Sequence, residues 1–257
     1  MGASPRPGMT RAEERLARVA QGICRTAHAA LTTASGHHDS ATPTNPELVT
    51  VHSVHGSTLD RQTAGRVQEI LQRSFHGNPD RKGYYIPLPE ELLLKGTEKD
   101  EAVDRLLAQA TRRRELWHLA FDKTDGALAA IATTFEHTIR LADGSCRQIL
   151  ALGEVATHPD YRGRGHGAAA VRVAFSQVSV AEGARDVMLW QTGEAQGMYE
   201  KLGARVVPTA NIVNSAAASH AEDGCPVRAF WDLVAMIYPS DAAWDDDDVV
   251  DLMAPGW

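Results

Sequence analysis

The sequence predicts an α/β fold in which a mostly antiparallel sheet is flanked by helices, and three observations lead to this prediction. Strand-like segments alternate with segments that carry apolar residues at helical spacing between residues 47 and 238. Three of the strand-like segments follow one another through short turns, as in an antiparallel meander. A glycine-rich stretch, PDYRGRGHGAAAVR at residues 159–172, then leads into an alanine-rich helix.

The first part of this region predicts two helices and four strands. ELVTVHSV, which begins at Glu47, alternates like a strand, and residues 59–75 repeat apolar residues at helical spacing. A second helix is expected near residues 100–111, where the apolar residues share one face. The meander follows as ELWHLAFD, GALAAIATTFEHTIRL and RQILALGEVATH.

The second part predicts two helices and three strands. A helix is expected from Gly165 to about Glu182, because Gly183 is placed to end it. DVMLW is typical of a short buried strand, and GEAQGMYEKLG is typical of a short helix that ends at Gly203. ARVV and AFWDLVAMIY predict the last two strands.

Composition divides the chain into three parts. Residues 1–46 are rich in Ala, Thr, Ser and Pro, which predicts a flexible extension with one short helix near residues 10–30. Residues 47–238 contain the strand and helix signals and are the predicted folded domain. Residues 239–257 form a tail that combines four consecutive aspartates with apolar residues, so a solvated tail and a docked tail both fit.

Charge and hydropathy exclude two classes of partner. The net charge is -7 and basic residues cluster only at Arg112–Arg114, so we expect no nucleic-acid binding. No apolar run approaches the roughly 20 residues that span a bilayer, so we expect no membrane insertion. The cytoplasm is the expected compartment, although the arginines among residues 1–31 also fit an organelle transit peptide.

The cysteines and histidines predict no metal site. Cys24, Cys146 and Cys225 lie far apart and have no partner at ligand spacing, so neither a disulfide framework nor a zinc site is indicated. His37 and His38 are adjacent, but they lie in a polar segment without a third ligand.

Three nucleotide-binding motifs compete for the glycine-rich stretch, because backbone N–H groups on a turn that opens a helix form an anion site. The Walker loop is excluded, since no Lys-Ser or Lys-Thr follows the glycines. The dinucleotide fingerprint fits formally at Gly163, Gly165 and Ala168. However, HPDYR separates these residues from the preceding strand, whereas that fingerprint follows its strand directly.

The third motif is carried by VATHPDYRGRGHG, which resembles the hallmark of the GNAT superfamily of acyl-CoA-dependent N-acetyltransferases. That hallmark is a strand ending V-x-V, followed a few residues later by Gln/Arg-x-x-Gly-x-Gly/Ala. The order of elements between residues 47 and 238 is also similar to that of a GNAT domain. The resemblance implies a mixed, mostly antiparallel, twisted sheet flanked by helices, with acetyl-CoA as cosubstrate and no metal.

The resemblance also implies a set of coenzyme-binding residues. The backbone at the end of the strand would pair with the pantetheine arm, and the amides of the glycine-rich turn would hold the pyrophosphate. Arg162 and Arg164 would add positive charge, whereas the ring of His166 is expected to face solvent. The implied residues are Val155, Ala156, Thr157, Arg162, Gly163, Arg164, Gly165, His166, Gly167 and Ala168.

Two residues are candidates for catalysis. GNAT enzymes commonly use a tyrosine in the motif Tyr-Glu/Asp-Lys-x-Gly as general acid, and MYEKLGA has Tyr199 at that position. Glu154 directly precedes the implied coenzyme-binding residues and is the candidate general base. A core aromatic for Tyr199 and a strand salt bridge for Glu154 are the structural alternatives. Glu136 and His137, on the neighbouring strand, are reserve candidates.

The sequence departs from the family pattern at two positions near the tyrosine. Thr192 stands where an asparagine is frequent, and Ala204 stands where an aromatic residue is usual. Neither change removes a proton-transfer group, so the departures concern the finer coenzyme contacts.

The resemblance and the candidate residues predict an enzyme, a monomer or homodimer, that transfers acetyl from acetyl-CoA to a primary amine of a small molecule. A peptide or protein amine as acceptor, and a non-catalytic acyl-CoA sensor, are the alternatives. The ending YPSDAAWDDDDVVDLMAPGW is similar to the tails of GNAT proteins related to aminoglycoside N-acetyltransferases, but it does not fix the acceptor.

Overall fold

The computed structural model describes residues 48–77, 85–86, 90–178, 186–193, 195–216, 229–230, 232 and 234–254. All of them belong to one compact unit, Thr42–Trp257. The helix predicted near residues 10–30 and the histidine pair His37 and His38 lie outside the described residues.

The strands follow the predicted order, with short additional strands in the connections. The long central strands carry nearly continuous buried residues, as expected for strands covered on both faces. The strands are β1 (Val49–His55), β2 (His76–Gly77), β3 (Tyr85–Ile86), β4 (Leu116–Asp122), β5 (Leu128–Arg140), β6 (Cys146–Thr157), β7 (Met188–Thr192), β8 (Arg205–Val207), β9 (Ile212–Val213), β10 (Val234–Tyr238) and β11 (Val250–Asp251).

Within the described residues, nine strands form one sheet in the order β1-β4-β5-β6-β7-β10-β8, with β11 joining β9 to β5. The pairs β1·β4, β4·β5, β5·β6, β7·β10 and β8·β10 are antiparallel, whereas β6 and β7 are parallel. Short turns can join only antiparallel neighbours, and the helix between β6 and β7 supplies the longer crossover of a parallel pair. The predicted α/β fold with a mixed, mostly antiparallel sheet is confirmed.

Four α-helices lie among the described residues. They are α1 (Arg61–Ser74), α2 (Gly96–Arg113), α3 (His166–Phe175) and α4 (Gln196–Lys201). The Asp60 carboxylate caps α1 by accepting a hydrogen bond from the Thr63 N–H at 2.9 Å. The helix α3 ends at Phe175, earlier than predicted, because Ser176 and Gln177 form a turn; residues 179–185 lie outside the described residues.

The core lies on both faces of the sheet. On one face, α1 and α2 pack against β4, β5 and β6 through an apolar cluster that includes Val67, Val103 and Trp117. On the other face, α3 and α4 pack against β4 to β7 and β10 through a cluster that includes Phe175 and Trp190. Each fully buried aliphatic side chain contributes about 1.5–3 kcal/mol, so these two layers hold the central strands in place.

The C-terminal tail contacts the sheet. Val250 and Leu252 are buried in a third apolar cluster, and β11 pairs with both β5 and β9. Arg205 donates to both carboxylate oxygens of Asp246, at 2.8 and 2.9 Å. Of the two alternatives for the tail, the structure therefore has the docked one.

Candidate active site

A cavity lies where the parallel strands β6 and β7 separate. The strands pair at Leu150 with Met188 and at Ala151 with Leu189, whereas β6 continues to Thr157. The cavity beside them has a volume of about 770 Å³ and is lined by residues of both strands. Separation of adjacent strands leaves backbone N–H and C=O groups available to a ligand that adds to the sheet edge.

A β-bulge positions Glu154 at this cavity. β5 pairs Ile131 with Ala156 and Thr133 with Gly153, so one residue of β5 faces two residues of β6. Glu154 has φ = 48°, in the left-handed region, and lines the cavity. In a regular strand, Glu154 would lie on the same face of the sheet as Leu152 and Ala156. The bulge interrupts this alternation between Thr133 and Ile131 of the neighbouring strand.

The Glu154 carboxyl lies in an electrostatically unusual environment. Burial raises its pKa, the nearby Glu115 carboxylate raises it further, and Arg113 lowers it. The net direction is upward from the ordinary value of a glutamate. A carboxylate with a raised pKa is a stronger base, which suits proton removal from an ammonium group.

Tyr199 of α4 lines the same cavity and also belongs to the core. Its side chain is 3% exposed, and its ring centroid lies 5.0 Å from that of Trp190 on β7. Burial raises its pKa, so the hydroxyl stays protonated at neutral pH. The cavity thus contains a carboxylate that can accept a proton and a phenol that can donate one.

The glycine-rich turn forms one end of the cavity region, directly after β6. A 3-10 turn at Pro159–Tyr161 is followed by Gly163 with φ = 77° and Gly165 with φ = 86°, both in the left-handed region that glycine adopts readily. A Cβ on Gly163 would meet no atom within 4 Å. This turn therefore exposes bare backbone at the start of α3, whose first N–H groups have no intrahelical partner.

Gly167 has a different reason to lack a side chain. A Cβ there would lie 2.6 Å from Thr157 Oγ1 at the end of β6. The start of α3 is therefore packed tightly against the last residue of the strand.

The two arginines of the turn are exposed. Arg162 lines the cavity, its backbone N–H donates to the Pro159 carbonyl at 3.2 Å, and its Nε donates to the Thr157 carbonyl at 3.4 Å. The Arg164 guanidinium lies 5.3 Å from the centroid of the Tyr161 ring. Both side chains place positive charge beside the turn.

The expectation that the His166 ring faces solvent is wrong. The ring is 1% exposed, and its Nε2 lies 3.0 Å from Asp122 Oδ2. The Tyr161 ring contacts its edge, with centroids 5.7 Å apart. The first turn of α3 faces the β4–β5 hairpin rather than solvent. The His166 ring therefore packs between the glycine-rich turn and this hairpin.

The reserve candidates lie elsewhere. Glu136 is exposed, and the His137 Nε2–H donates to the Leu252 carbonyl of the tail at 2.8 Å. Neither residue lines the described cavity. Of the two departures from the family pattern, Thr192 lines the cavity and Ala204 is buried in the core.

Sequence reasoning missed Glu115. This residue is 1% exposed and follows Arg114, which ends α2 in a left-handed conformation with φ = 52°. The signal in the sequence is a charged run, RRRE, immediately before the apolar strand LWHLAF. Such a run usually indicates a solvated turn, so it gave no reason to expect a buried carboxyl.

The family comparison agrees with this geometry. Residues 78–204 match the model of the acetyltransferase (GNAT) family. This segment, just under half of the chain, is therefore a GNAT-family domain, and members of this family are acyl-CoA-dependent N-acyltransferases. No curated protein matches the sequence. The suggested relation to aminoglycoside N-acetyltransferases stays a prediction.

Several solved structures are similar to this chain. A probable N-acyltransferase from Enterococcus faecalis is 14% identical, with a TM-score of 0.41, over 61% of this chain and 32% of that one. A GCN5-related N-acetyltransferase from Kribbella flavida is 15% identical, with a TM-score of 0.42, over 68% of this chain and 40% of that one. The GNAT family N-acetyltransferase YhbS from Escherichia coli, solved in complex with CoA, is 14% identical, with a TM-score of 0.40, over 64% and 73%. The chain thus spans less than half the length of the first two proteins.

Two further properties concern metals and membranes. In the part of the chain that the structure describes, no group of three or more His, Cys, Asp or Glu side chains is arranged to hold a metal ion. Among the described helices, none combines the length and apolar character needed to cross a bilayer.

Proposed function

We propose that this protein transfers the acetyl group of acetyl-CoA to a primary amine of a small molecule. The observation that carries the proposal is that Glu154 and Tyr199 line one cavity, which lies between separated strands and next to the exposed glycine turn. A base and an acid in one cavity are what acetyl transfer from a thioester to an ammonium group requires.

The residues present fit the coenzyme. The backbone amides from Gly163 to Ala168, including those of Arg164, Gly165, His166 and Gly167, bind the pyrophosphate at the positive end of α3. The side chains of Arg162 and Arg164 add charge. The open space at Gly163 supports this assignment, because a Cβ there would project into it.

The strand end binds the rest of the coenzyme. The backbone groups of Val155, Ala156 and Thr157 pair with the pantetheine amides, as an added strand would. The separation of β6 from β7 beyond Ala151 leaves the room that this pairing needs.

The proposed chemistry balances in three steps. Glu154 takes a proton from the ammonium group of the acceptor, and the neutral nitrogen attacks the thioester carbonyl. The Val155 N–H stabilises the developing oxyanion, as a C–N bond forms and the C–S bond breaks. Tyr199 donates its proton to the departing thiolate and regains one from the new amide nitrogen, and Glu154 later releases its proton to solvent.

Two basic side chains, those of Arg113 and Arg162, and two acidic ones line the cavity, and the acidic pair favours a cationic acceptor. Glu154 and Asp232 both line it, and Asp232 is buried. A carboxylate inside a cavity attracts an ammonium group and orients it.

A thiol-release assay with acetyl-CoA tests the proposal. The acceptors should include alkylamines, aminoglycosides, amino acids and lysine-containing peptides, with coenzyme binding measured separately by calorimetry. Thiol release with the small amines is expected. Release with peptides alone would replace the small-molecule acceptor by a peptide, and a silent panel together with firm coenzyme binding would favour a sensor.

A further inference from the structure

Arg113, the last residue of α2, lies at the cavity, and neither the proposed chemistry nor the proposed coenzyme contacts use it. It lines the cavity together with Gln109, which lies one turn earlier on the same helix. Its neighbours in the charged run, Arg112 and Arg114, are exposed and are not among the residues that line this cavity. The end of α2 therefore turns one of three adjacent arginines toward the cavity.

Two contacts hold the guanidinium of Arg113. Its Nη1 lies 3.7 Å from Oε1 of the buried Glu115, and its Cζ lies 5.1 Å from the centroid of the Phe135 ring. The Arg113 side chain is 36% exposed, so these contacts leave part of it open. A guanidinium carries five N–H donors in a fixed plane, and one ion pair at this distance leaves donors for a ligand. An arginine oriented in this way suits recognition of a planar carboxylate.

The sheet places Arg113 and the glycine-rich turn at opposite ends of the cavity. Phe135, under the Arg113 guanidinium, pairs with Ala151 of β6. Arg162 donates to the carbonyl of Thr157, at the other end of the same strand. The six residues from Ala151 to Thr157 correspond to roughly 20 Å of strand. The proposed pyrophosphate site takes up the Thr157 end, so the charge of Arg113 is available at the other end.

Glu154 lies between these two ends. It follows Ala151 by three residues, which is about 10 Å along the strand. Side chains from both positions extend into this interval, so a short carbon chain can span what remains between a group at Glu154 and a group at Arg113. Because Glu115 already balances part of the charge of Arg113, a carboxylate with one negative charge fits better than a phosphate with two.

We propose that Arg113 is a specificity-determining residue that binds a carboxylate of the acceptor. The preferred acceptor is then a zwitterion, an amino acid whose reacting amine is separated from its carboxylate by a short carbon chain. Its ammonium end meets Glu154 and its carboxylate end meets Arg113, and contacts at both ends align the amine with the thioester. The proposal rests on the proposed function and narrows the small-molecule amine to this class.

A series of matched acceptors tests the proposal. The thiol-release assay with acetyl-CoA compares ω-amino acids, from glycine to aminohexanoate, with their amides, which have the same length but no carboxylate charge. In the natural chain, kcat/KM should be about 10- to 100-fold higher for the best amino acid than for its amide, as expected for a hydrogen bond to a charged group. In Arg113→Gln this ratio should fall to about one. The ratio compares two acceptors on one variant, so a general loss of activity cancels.

Arg112→Gln is the matched control, because Arg112 is an exposed arginine at the same helix end; its ratio should equal that of the natural chain. If Arg113→Gln does not fold because Glu115 is left buried without its counter-charge, the double variant Arg113→Gln/Glu115→Gln removes both charges and takes its place. A ratio near one in the natural chain overturns the proposal, and so does an unchanged ratio in the variant that lacks Arg113.

Binding without turnover separates this proposal from the proposed function. Calorimetric titration of the coenzyme A complex with the same acids and amides should show tighter binding of the acids in the natural chain and in Arg112→Gln, but not in Arg113→Gln. Thiol release without any preference for the acids would leave the proposed function standing and overturn the role of Arg113. A silent panel would overturn the proposed function, and the titration would then decide: a preference for the acids that Arg113→Gln removes supports the role of Arg113, and equal binding overturns it.

Discussion

Tyr199 lies in the core and also lines the cavity, so its position is compatible with both of the roles that the sequence presented as alternatives. The ring packs against Trp190 in the core, and the same residue lines the cavity. A tyrosine allows both roles because its apolar ring and its hydroxyl lie at opposite ends of the side chain. Only the hydroxyl can transfer a proton, so removing the phenolic oxygen in Tyr199→Phe tests the proton-transfer role while the packing of the ring is kept.

Tyr199→Phe should lower kcat by about 10²-fold or more, within the usual range for general acid catalysis. The affinity for acetyl-CoA should change by less than about threefold, because the proposed coenzyme contacts are backbone amides. The control is Tyr238→Phe, since Tyr238 packs against the same core cluster by stacking on Phe175 but does not line the cavity. Equal kcat in both variants would make Tyr199 a packing residue.

For single residues, the sequence indicated which side chains line the cavity better than it indicated which polar side chains are buried. Glu154 and Tyr199 were identified from motif spacing, and both line the cavity. The bulge at Glu154 was not predicted, since β6 is buried on both faces and has no apolar–polar alternation that an inserted residue would visibly interrupt. Glu115 was missed and the His166 ring was misplaced because burial of a polar side chain depends on elements distant in sequence.

Among the elements, the turn between β6 and α3 combines two left-handed glycines with a helix start. Its existence was predictable because few other functions need so much bare backbone before a helix. The supporting contacts from the β4–β5 hairpin, such as the Tyr161 hydroxyl bonded to Asp125 at 2.5 Å, were not predictable from local sequence.

Gly163→Val should weaken acetyl-CoA binding roughly 10- to 100-fold, because loss of one hydrogen bond to a charged group costs about 1.5–3 kcal/mol. Gly144→Val is the matched control, since Gly144 also has a positive φ, 83°, and open space around it, but lies in the β5–β6 turn. Both variants place a β-branched residue at a similar positive φ, so their backbone strain is comparable. Calorimetric titration should therefore show weakened binding in the first variant alone; equal affinities would refute the loop assignment.

His118 connects three strands. On β4, its Nδ1 lies 2.9 Å from Ser53 Oγ of β1, and its Nε2 lies 3.1 Å from Thr134 Oγ1 of β5. Burial lowers its pKa to about 4, whereas a histidine in an unfolded chain titrates near 6.5. The unfolded state therefore binds more protons between these values, so the free energy of unfolding falls as the pH decreases through that window.

The expected loss at the acidic end is roughly 3 kcal/mol, at about 1.4 kcal/mol per pH unit. Urea unfolding at several pH values should show a shallower pH dependence for His118→Gln than for the natural chain. His52→Gln, which alters an exposed ring on β1, should keep the original dependence. An unchanged slope in His118→Gln would mean that other groups cause the acid sensitivity.

For the whole molecule, the order of the main strands could be predicted, but the position of the tail could not. Short turns and one crossover restrict the sheet to few arrangements. The four consecutive aspartates of the tail are typical of a solvated segment, so the apolar residues beside them did not decide between the two alternatives. In the folded chain, Val250 and Leu252 are buried and Asp246 pairs with Arg205.

Leu252→Ala should reduce the free energy of unfolding by about 2–4 kcal/mol, because the side chain is fully buried. Val249→Ala, at a side chain that is 47% exposed, should change it by no more than about 0.5 kcal/mol. Denaturant unfolding measures both values. Equal, small effects would return the tail to the solvated alternative.

Strands β6 and β7 are paired at one end only, near Leu150 and Met188, and they diverge from there toward the cavity. The tail packs against this paired end, since Val250 and Leu252 belong to the same apolar cluster as Ile149 of β6 and Leu189 of β7. Because this packing holds the two strands together at their paired end, we expect it to limit how far they separate toward the cavity. The width available to a ligand is therefore governed partly by residues that never touch it.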